Sequence, residues 1–140
     1  MASLLSREQF RTRTLARHQS VCVVPSCSLV TVDAHHILNR NLFHEPDEFG
    51  GYFMENGAGL CAKHHLDAEY TLISTKDLYE WCEIDAPAIP AHLDPKLTYD
   101  TWGNIVVSEW ERIGGEMFHD EGCQKALSAA HLLWQFPTEL

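Results

Sequence analysis

Residues 33–37 read Asp-Ala-His-His-Ile, and residues 55–69 read Glu-Asn-Gly-Ala-Gly-Leu-Cys-Ala-Lys-His-His-Leu-Asp-Ala-Glu. The two stretches hold four of the nine histidines, with an asparagine and a cysteine between the two histidine pairs. Imidazole is the commonest metal ligand, and it is also the side chain whose unperturbed pKa lies nearest neutrality. Adjacent histidines can therefore divide two tasks, one holding a metal ion and the other moving a proton.

Three cysteines and a histidine form a second pattern around these stretches. Four residues separate Cys22 from Cys27, and two separate Cys61 from His64. Zn²⁺ favours four-coordinate sites built from such sulfur and nitrogen ligands. The second pair opens a predicted helix, whose positive end favours the Cys61 thiolate. The sequence thus predicts a structural Zn²⁺ site, and the alternative is that the cysteines are simply small buried apolar residues.

The paired histidines predict a second metal site. Neighbouring residues on a strand point to opposite faces, so His35 and His36 cannot both face one ion. If His35 faces the helix that carries His65 and Glu69, which share a helical face, these three hold a divalent cation. His36 then faces the substrate and can take a proton from an attacking water. The alternative is that each is an ordinary hydrogen-bonded imidazole.

That ordinary role is the expectation for the five other histidines: His18, His44, His92, His119 and His131.

These motifs resemble the HNH endonuclease family, whose core is a β-hairpin and a helix around one metal ion, the ββα-metal or His-Me finger fold. The resemblance covers about residues 20–70 and rests on four motifs: Cys-x4-Cys from residue 22, Val-Asp-Ala-His-His-Ile from residue 32, Gly-Gly at 50–51 and Asn-x4-Cys-x2-His-His from residue 56. It implies that His36 is the general base and that His35 and His65 are metal ligands. It also implies that Asn56 steadies the loop and orients the base.

The resemblance further implies a zinc knuckle made of Cys22, Cys27, Cys61 and His64. In the members closest to this pattern another histidine follows the helix ligand by four residues, but here that position is Glu69. A carboxylate suits a hard cation such as Mg²⁺ or Mn²⁺, so the catalytic metal is expected to be one of these or another divalent cation. The implied activity is hydrolysis of phosphodiester bonds in DNA, with RNA as the alternative substrate, in a phage or bacterial setting.

The net charge of −10 ordinarily counts against a nucleic-acid partner, because phosphate contact relies on Lys and Arg. The charge is uneven, however: residues 1–40 carry +3 and residues 41–140 carry −13. The acidic half is predicted to be a packing platform or to bind a protein partner. The basic side chains expected to contact nucleic acid are Arg7, Arg11, Arg13, Arg17, Arg40 and Lys63. For the arginines of the N-terminal segment, the alternative is a solvated helix surface.

The predicted fold class is α+β in a single domain over residues 1–140. A ββα-metal core with its zinc knuckle spans residues 20–71, an N-terminal helix precedes it, and a mostly helical extension over residues 72–140 packs on it. Ser6 and Gln9 have the form of a capping box that starts a helix over 7–18. Strands are expected at 29–32 and at 52–54, where 52–54 is either a strand or the approach to one. Helices are expected at 61–71, at 75–84 with a cap at Ser74 and at 121–134 with a cap at Asp120, and turns with a hairpin within 99–118. Leu127, Ala130, Leu133 and Trp134 are expected to form the buried face of the last helix.

A competing interpretation is a zinc-stabilised nucleic-acid- or protein-binding module on an inactive HNH scaffold. The net charge favours it, whereas the presence together of His35, His36, Asn56 and His65 opposes it. The chain has no run of eighteen apolar residues, and its five cysteines lack the spacing of a secreted disulfide scaffold. We therefore expect a cytoplasmic protein without a membrane partner.

Overall fold

The structure is a computed structural model that describes residues 3–137. Within this range the chain forms four helices and two antiparallel sheets of two strands each, which confirms the predicted α+β class. In chain order the elements are α1 (Arg7–Ala16), β1 (Asp33–His36), β2 (Gly57–Leu60), α2 (Ala62–Glu69), α3 (Thr75–Trp81), β3 (Ile105–Val106), β4 (Arg112–Ile113) and α4 (Glu121–Ala129). No helix in the described part of the chain has the length and apolarity needed to cross a membrane.

Helix α1 starts where the sequence predicts. The Ser6 side chain accepts a hydrogen bond from the Gln9 amide, and the Gln9 side chain accepts one from the Ser6 amide, so the capping box is confirmed. The helix ends at Ala16, two residues earlier than predicted. The residues at 18–20 have φ values between 56° and 63°, a left-handed conformation that no α-helix can continue.

The hairpin of β1 and β2 packs directly under α1. His35 pairs with Ala58, and His36 pairs with Gly57. A Cβ atom on Gly57 would lie 2.6 Å from Thr14 Oγ1 and 2.9 Å from the Phe10 ring. The absence of a side chain at Gly57 therefore allows α1 to approach β2, the strand that pairs with the histidine-bearing strand β1.

Neither predicted strand lies at 29–32 or at 52–54, and residues 52–54 are instead the approach to a strand, which is the alternative that the sequence leaves open. The strand expected at 29–32 begins at Asp33, because Leu29 and Val30 stay exposed and only Val30 forms an isolated bridge, to Val21. The strand expected at 52–54 lies instead at Gly57–Leu60. The β-branched and aromatic residues suggested strands, but the small residues of β2 are the ones that fit beneath the helix.

The three later helices begin within one residue of their predicted starts but end early. Cys61, Ser74 and Asp120 are the N-cap residues of α2, α3 and α4, and the side chains of Ser74 and Asp120 accept the capping hydrogen bonds. Helix α4 stops at Ala129 rather than at 134. Leu133 and Trp134, predicted to be buried, are 37% and 62% exposed, so that prediction is wrong.

The segment after residue 72 holds α3, α4, the β3–β4 hairpin and long stretches of turns and loops, which occupy more of it than a mostly helical extension implies. It packs against the hairpin region through specific contacts. Leu78 and Cys82 join Ile37 and Leu60 in one hydrophobic cluster. A second cluster joins Phe43 and other residues after β1 to the C-terminal segment. Residues far apart in sequence therefore form the walls around β1.

Candidate metal centre and active-site cleft

The four predicted zinc-knuckle residues come together beside the first hydrophobic cluster. Cys22, Cys27, Cys61 and His64 offer ligand atoms that all lie within 4.8 Å of one another. The Nδ1 atom of His64 is 3.3 Å from the Cys61 sulfur and 3.5 Å from the Cys22 sulfur. All three cysteines are free thiols, so no disulfide competes for the sulfurs. These four residues could hold a metal ion.

The thiols of this cluster differ in how readily they ionise. Burial raises the pKa of Cys22 to about 11. Burial also opposes ionisation of Cys61, but the backbone N–H groups of His64 and Lys63 and the two neighbouring thiols lower its pKa overall. Cys61 sits at the N-cap of α2, where a thiolate is favoured. A bound cation would stabilise the remaining thiolates, because metal ligation requires deprotonated sulfur.

The paired histidines line a cleft of about 510 Å³ between α1, β1, the loop after β1 and α2. His35, His36, His65 and Glu69 all border it, as does Asp33, which the sequence analysis did not single out. Asp33 lies two residues before His35 on β1, so both belong to the same face of the strand. The two-residue spacing from His35 is therefore enough to predict that Asp33 lies on the same face of the strand as His35.

One wall of the cleft carries imidazole and carboxylate side chains, which are residue types that can ligate a metal. The rings of His35 and His65 are edge to face with centroids 5.2 Å apart. His35 is 4% exposed, and its Nε2 atom is buried without a hydrogen-bond partner. Burial, together with the nearby His65, lowers the pKa of His35 to about 3, so the ring is neutral and has a lone pair available to a metal. An unpartnered buried nitrogen beside a second imidazole and two carboxylates fits a bound cation.

The ligand atoms of these side chains nevertheless do not form a cluster of metal-site dimensions. Among residues 3–137, only the Cys₃His set and a set on the surface bring three or more ligand atoms within 4.8 Å of one another. His65 instead spans two carboxylates, with Nδ1 3.1 Å from Asp33 and Nε2 3.3 Å from Glu69. The hydrogen bond to Glu69 is the main reason why the pKa of His65 is raised. A cation entering here would displace a proton and one carboxylate contact.

His36 contacts different neighbours from His35. Its ring stacks on Phe10 with centroids 4.6 Å apart and meets the edge of Tyr52 at 5.4 Å. Burial lowers its pKa to about 4, although a hydrogen bond to the Gly50 backbone acts in the opposite direction. Its Nε2 atom is buried and has no partner. The ring is therefore a neutral imidazole.

Asn56 is fully buried and lies behind this ring rather than in the cleft. Its side-chain amide donates to the carbonyls of Leu38 and Gly51 and accepts from the Leu38 amide, at 2.9 to 3.2 Å. Gly51 has a φ of 65°, a conformation that favours glycine. Asn56 thereby clamps the chain two residues after His36 to the Gly-Gly turn that faces it.

The C-terminal segment completes the cleft, which sequence reasoning missed. The Thr101 hydroxyl donates to the His36 carbonyl at 3.3 Å, and the Trp102 indole donates to the Glu69 carbonyl at 2.8 Å. Both residues line the cleft. No local pattern predicts these contacts, because they join positions 65 and 33 residues apart.

The six predicted basic contacts occupy different places. Arg7, Arg11 and Arg40 line the cleft. The guanidinium of Arg17 instead donates to the backbone carbonyls of Met54 and Gly57.

The remaining two, Arg13 and Lys63, lie outside the cleft. Arg13 is exposed on α1. Lys63 is exposed on α2 and pairs with Asp67 at 3.2 Å.

In comparisons with known proteins, the chain matches no protein-family model, no curated protein and no solved structure. The likeness to HNH endonucleases therefore rests on the residues described above and on their arrangement around the cleft.

Proposed function

We propose that this protein is a metal-dependent endonuclease of the HNH type that hydrolyses phosphodiester bonds in DNA. The observation that carries the proposal is the cleft itself. The adjacent imidazoles of His35 and His36 line a recess that three arginines border. Neither imidazole has a hydrogen-bond partner at Nε2, which a purely structural role would leave unexplained.

His36 is the general base in this proposal. The neutral ring has a nitrogen lone pair that can take a proton from water, and its Nε2 atom has no hydrogen-bond partner. Phe10 and Tyr52 fix the ring plane by packing on it. Because Nε2 is covered, the chemical step requires the cleft to widen between these rings by enough to admit a water. Asn56 and Thr101 position the base through the backbone and do not meet the substrate.

His35, His65 and a carboxylate of Glu69 or Asp33 would hold the cation. When bound, a divalent cation supplies a Lewis acid that stabilises the negative charge developing on the phosphate and on the departing 3′ oxygen. Because the ligand set includes carboxylate oxygens, it suits Mg²⁺ or Mn²⁺ better than a set made of imidazoles alone would. Binding would require His65 to give up one of its two carboxylate contacts, and the other carboxylate would still orient the ring.

The three cleft arginines supply the phosphate contacts. The overall charge of −10 repels nucleic acid, so Arg7, Arg11 and Arg40 must provide a local attraction. Such contacts are sequence-independent and weaken steeply with salt. Recognition is therefore expected to be electrostatic, for DNA first and RNA as the alternative.

The Cys₃His set is proposed to hold structural Zn²⁺. Its ligand types and four-coordinate closure match structural zinc sites rather than catalytic ones, which keep an open position. The ion would fix the start of α2, the helix that carries His65.

One observation favours a second candidate, a zinc-stabilised binding module. The His36 Nε2 atom has no exposed surface, and a base that stays covered cannot reach water. The two candidates share the zinc site and the fold but differ in turnover.

The experiment is a cleavage assay on purified protein. Plasmid and single-stranded DNA are incubated with Mg²⁺, Mn²⁺ or Ni²⁺, with and without chelator. His36→Ala is tested beside His119→Ala, which removes an exposed histidine outside the cleft. Cutting that requires metal and is lost only in His36→Ala supports the nuclease. One tightly held zinc with no cutting under any metal supports the binding module.

A further inference from the structure

A third cluster of metal-binding side chains lies on the surface, away from both sites described above. His44, His92 and Glu116 offer ligand atoms within 4.8 Å of one another. The Nε2 atoms of His44 and His92 lie 2.8 and 2.5 Å from the two carboxylate oxygens of Glu116. The two imidazole rings are stacked, with centroids 4.3 Å apart and planes 13° from parallel. Both rings therefore present the same nitrogen to one carboxylate.

The backbone around this cluster is fixed. The buried Glu48 carboxylate accepts from the amide of His44 at 3.0 Å and from the amide of Ala91 at 2.8 Å. One carboxylate thus ties together the two segments that carry the histidines. The positions of His44 and His92 follow from this anchor rather than from the contact with Glu116 alone.

The same second hydrophobic cluster supports all three residues. Phe43 precedes His44, Leu93 follows His92, and Met117 follows Glu116, and each of these apolar neighbours packs in that cluster. The three polar side chains therefore project from a common base toward solvent. Their side chains are 48%, 39% and 35% exposed, so an ion can reach them.

The geometry points to a further metal site on the surface, in which His44, His92 and Glu116 bind Zn²⁺ from solvent. Two imidazoles and one carboxylate suit Zn²⁺, whereas Mg²⁺ and Ca²⁺ favour oxygen ligands alone. Zinc bound at about 2.0–2.2 Å in a tetrahedron separates its ligand atoms by about 3.3–3.6 Å. Each contact to Glu116 would therefore lengthen by about 1 Å or less, and the stacked rings would turn so that both Nε2 lone pairs point at the ion. Exposed side chains can accommodate both changes. Three protein ligands leave the fourth position to water.

Binding there would join three segments that are far apart in sequence, around positions 44, 92 and 116. The first of these is the loop that also carries Arg40 and Asn41, both of which line the cleft. The Asn41 carbonyl already lies 3.1 Å from His44 Nε2. A surface ion would thus restrain one rim of the cleft. The site does not depend on the proposed nuclease activity.

The test is a calorimetric Zn²⁺ titration at neutral pH of full-length protein that already holds its Cys₃His ion. A binding event is expected in the parent and in two controls, His119→Ala, another exposed histidine, and His65→Ala, which removes the cleft ligand. His92→Ala and Glu116→Gln should each weaken it by about 100-fold or more, because loss of even an outer-shell partner costs roughly 10- to 100-fold. Unfolding temperatures without added zinc check that the variants are folded.

Two-dimensional NMR of the parent supplies a measurement that needs no variant. The imidazole signals of His44 and His92 should shift together as zinc is added, and those of His119 should not. The inference is overturned if these signals do not respond, or if His92→Ala and Glu116→Gln bind zinc as the parent does. Loss of DNA cleavage in His65→Ala with this zinc event intact would separate the two sites.

Discussion

The Cys₃His cluster and the histidine wall of the cleft each take one histidine from α2, His64 and His65, yet they are prepared for metal in opposite ways. Around His64 the ligand atoms are already within 4.8 Å of one another, and no carboxylate competes for them. One residue later, His65 is held between Asp33 and Glu69, while its expected partner His35 keeps an unpaired nitrogen. A closed ligand set is suited to a permanent structural ion. A ligand set whose members contact one another but can separate is suited to a cation that must exchange or share its coordination shell with substrate.

The largest expected effect comes from breaking the closed set. Cys61→Ser should abolish tight zinc binding and leave the protein largely unfolded, since structural zinc contributes roughly 10 kcal/mol or more in small zinc domains. Cys82→Ala is the matched control, because Cys82 is a buried cysteine of the same hydrophobic cluster without a place in the ligand set. It should retain zinc and lose only about 1 kcal/mol. Metal content and unfolding temperature decide between them, and equal losses in both variants would refute the difference.

Breaking the separable set should remove activity and leave stability nearly unchanged. His65→Ala is expected to bring metal-dependent DNA cleavage down to background while zinc content stays at the parental value. Its two carboxylate contacts are partly exposed and contribute little to folding, typically below about 1 kcal/mol each. Cleavage rate, metal analysis and thermal unfolding are measured on one preparation. A large loss of zinc or of stability would mean that the two sites are not independent.

Asn56→Ala tests the clamp that joins the chain after β1 to the Gly-Gly turn at 50–51. The substitution leaves the buried Leu38 carbonyl and the buried Leu38 amide without their partner, whereas the Gly51 carbonyl still accepts from the Phe53 amide. Each unsatisfied group costs about 1–3 kcal/mol. We expect the free energy of unfolding to fall by about 3 kcal/mol in a urea titration, with weaker cleavage because the base is no longer held. Ordinary stability in Asn56→Ala would show that the clamp does not hold the loop.

The smallest effect concerns the rim of the cleft. Arg11→Ala should weaken DNA binding and lower the slope of log affinity against log salt by about 1, as expected for one lost phosphate contact. Arg13→Ala, on the same helix but outside the cleft, should leave the slope unchanged. Binding measured by fluorescence anisotropy over a range of salt distinguishes the two. Equal slopes for both variants would place the DNA elsewhere.

The parts of the molecule that sequence predicts well depend on short-range chemistry. Ser6, Ser74 and Asp120 cap their helices as predicted, because capping is decided within four residues. The metal-binding capacity of the Cys₃His set also follows from two short spacings.

The failures involve contacts between distant residues. The strand at 57–60 is set by the space beneath α1, which its small residues fill. Trp134 is exposed because α4 ends early, and Thr101 and Trp102 reach the cleft from a segment without any motif. His44 and His92 are expected from sequence to be ordinary imidazoles, because they lie 48 positions apart. Only the packing of their neighbours in one hydrophobic cluster brings them together.

The central claim is that His36 moves a proton while its neighbours hold a cation, and a single-turnover cleavage rate tests it most directly. Parent and His36→Ala are compared at saturating Mg²⁺ or Mn²⁺, with metal content measured on the same samples. The proposal predicts that His36→Ala keeps its bound metal and cleaves DNA about 10² to 10⁴ times more slowly. Cleavage at the parental rate in metal-loaded His36→Ala would contradict it.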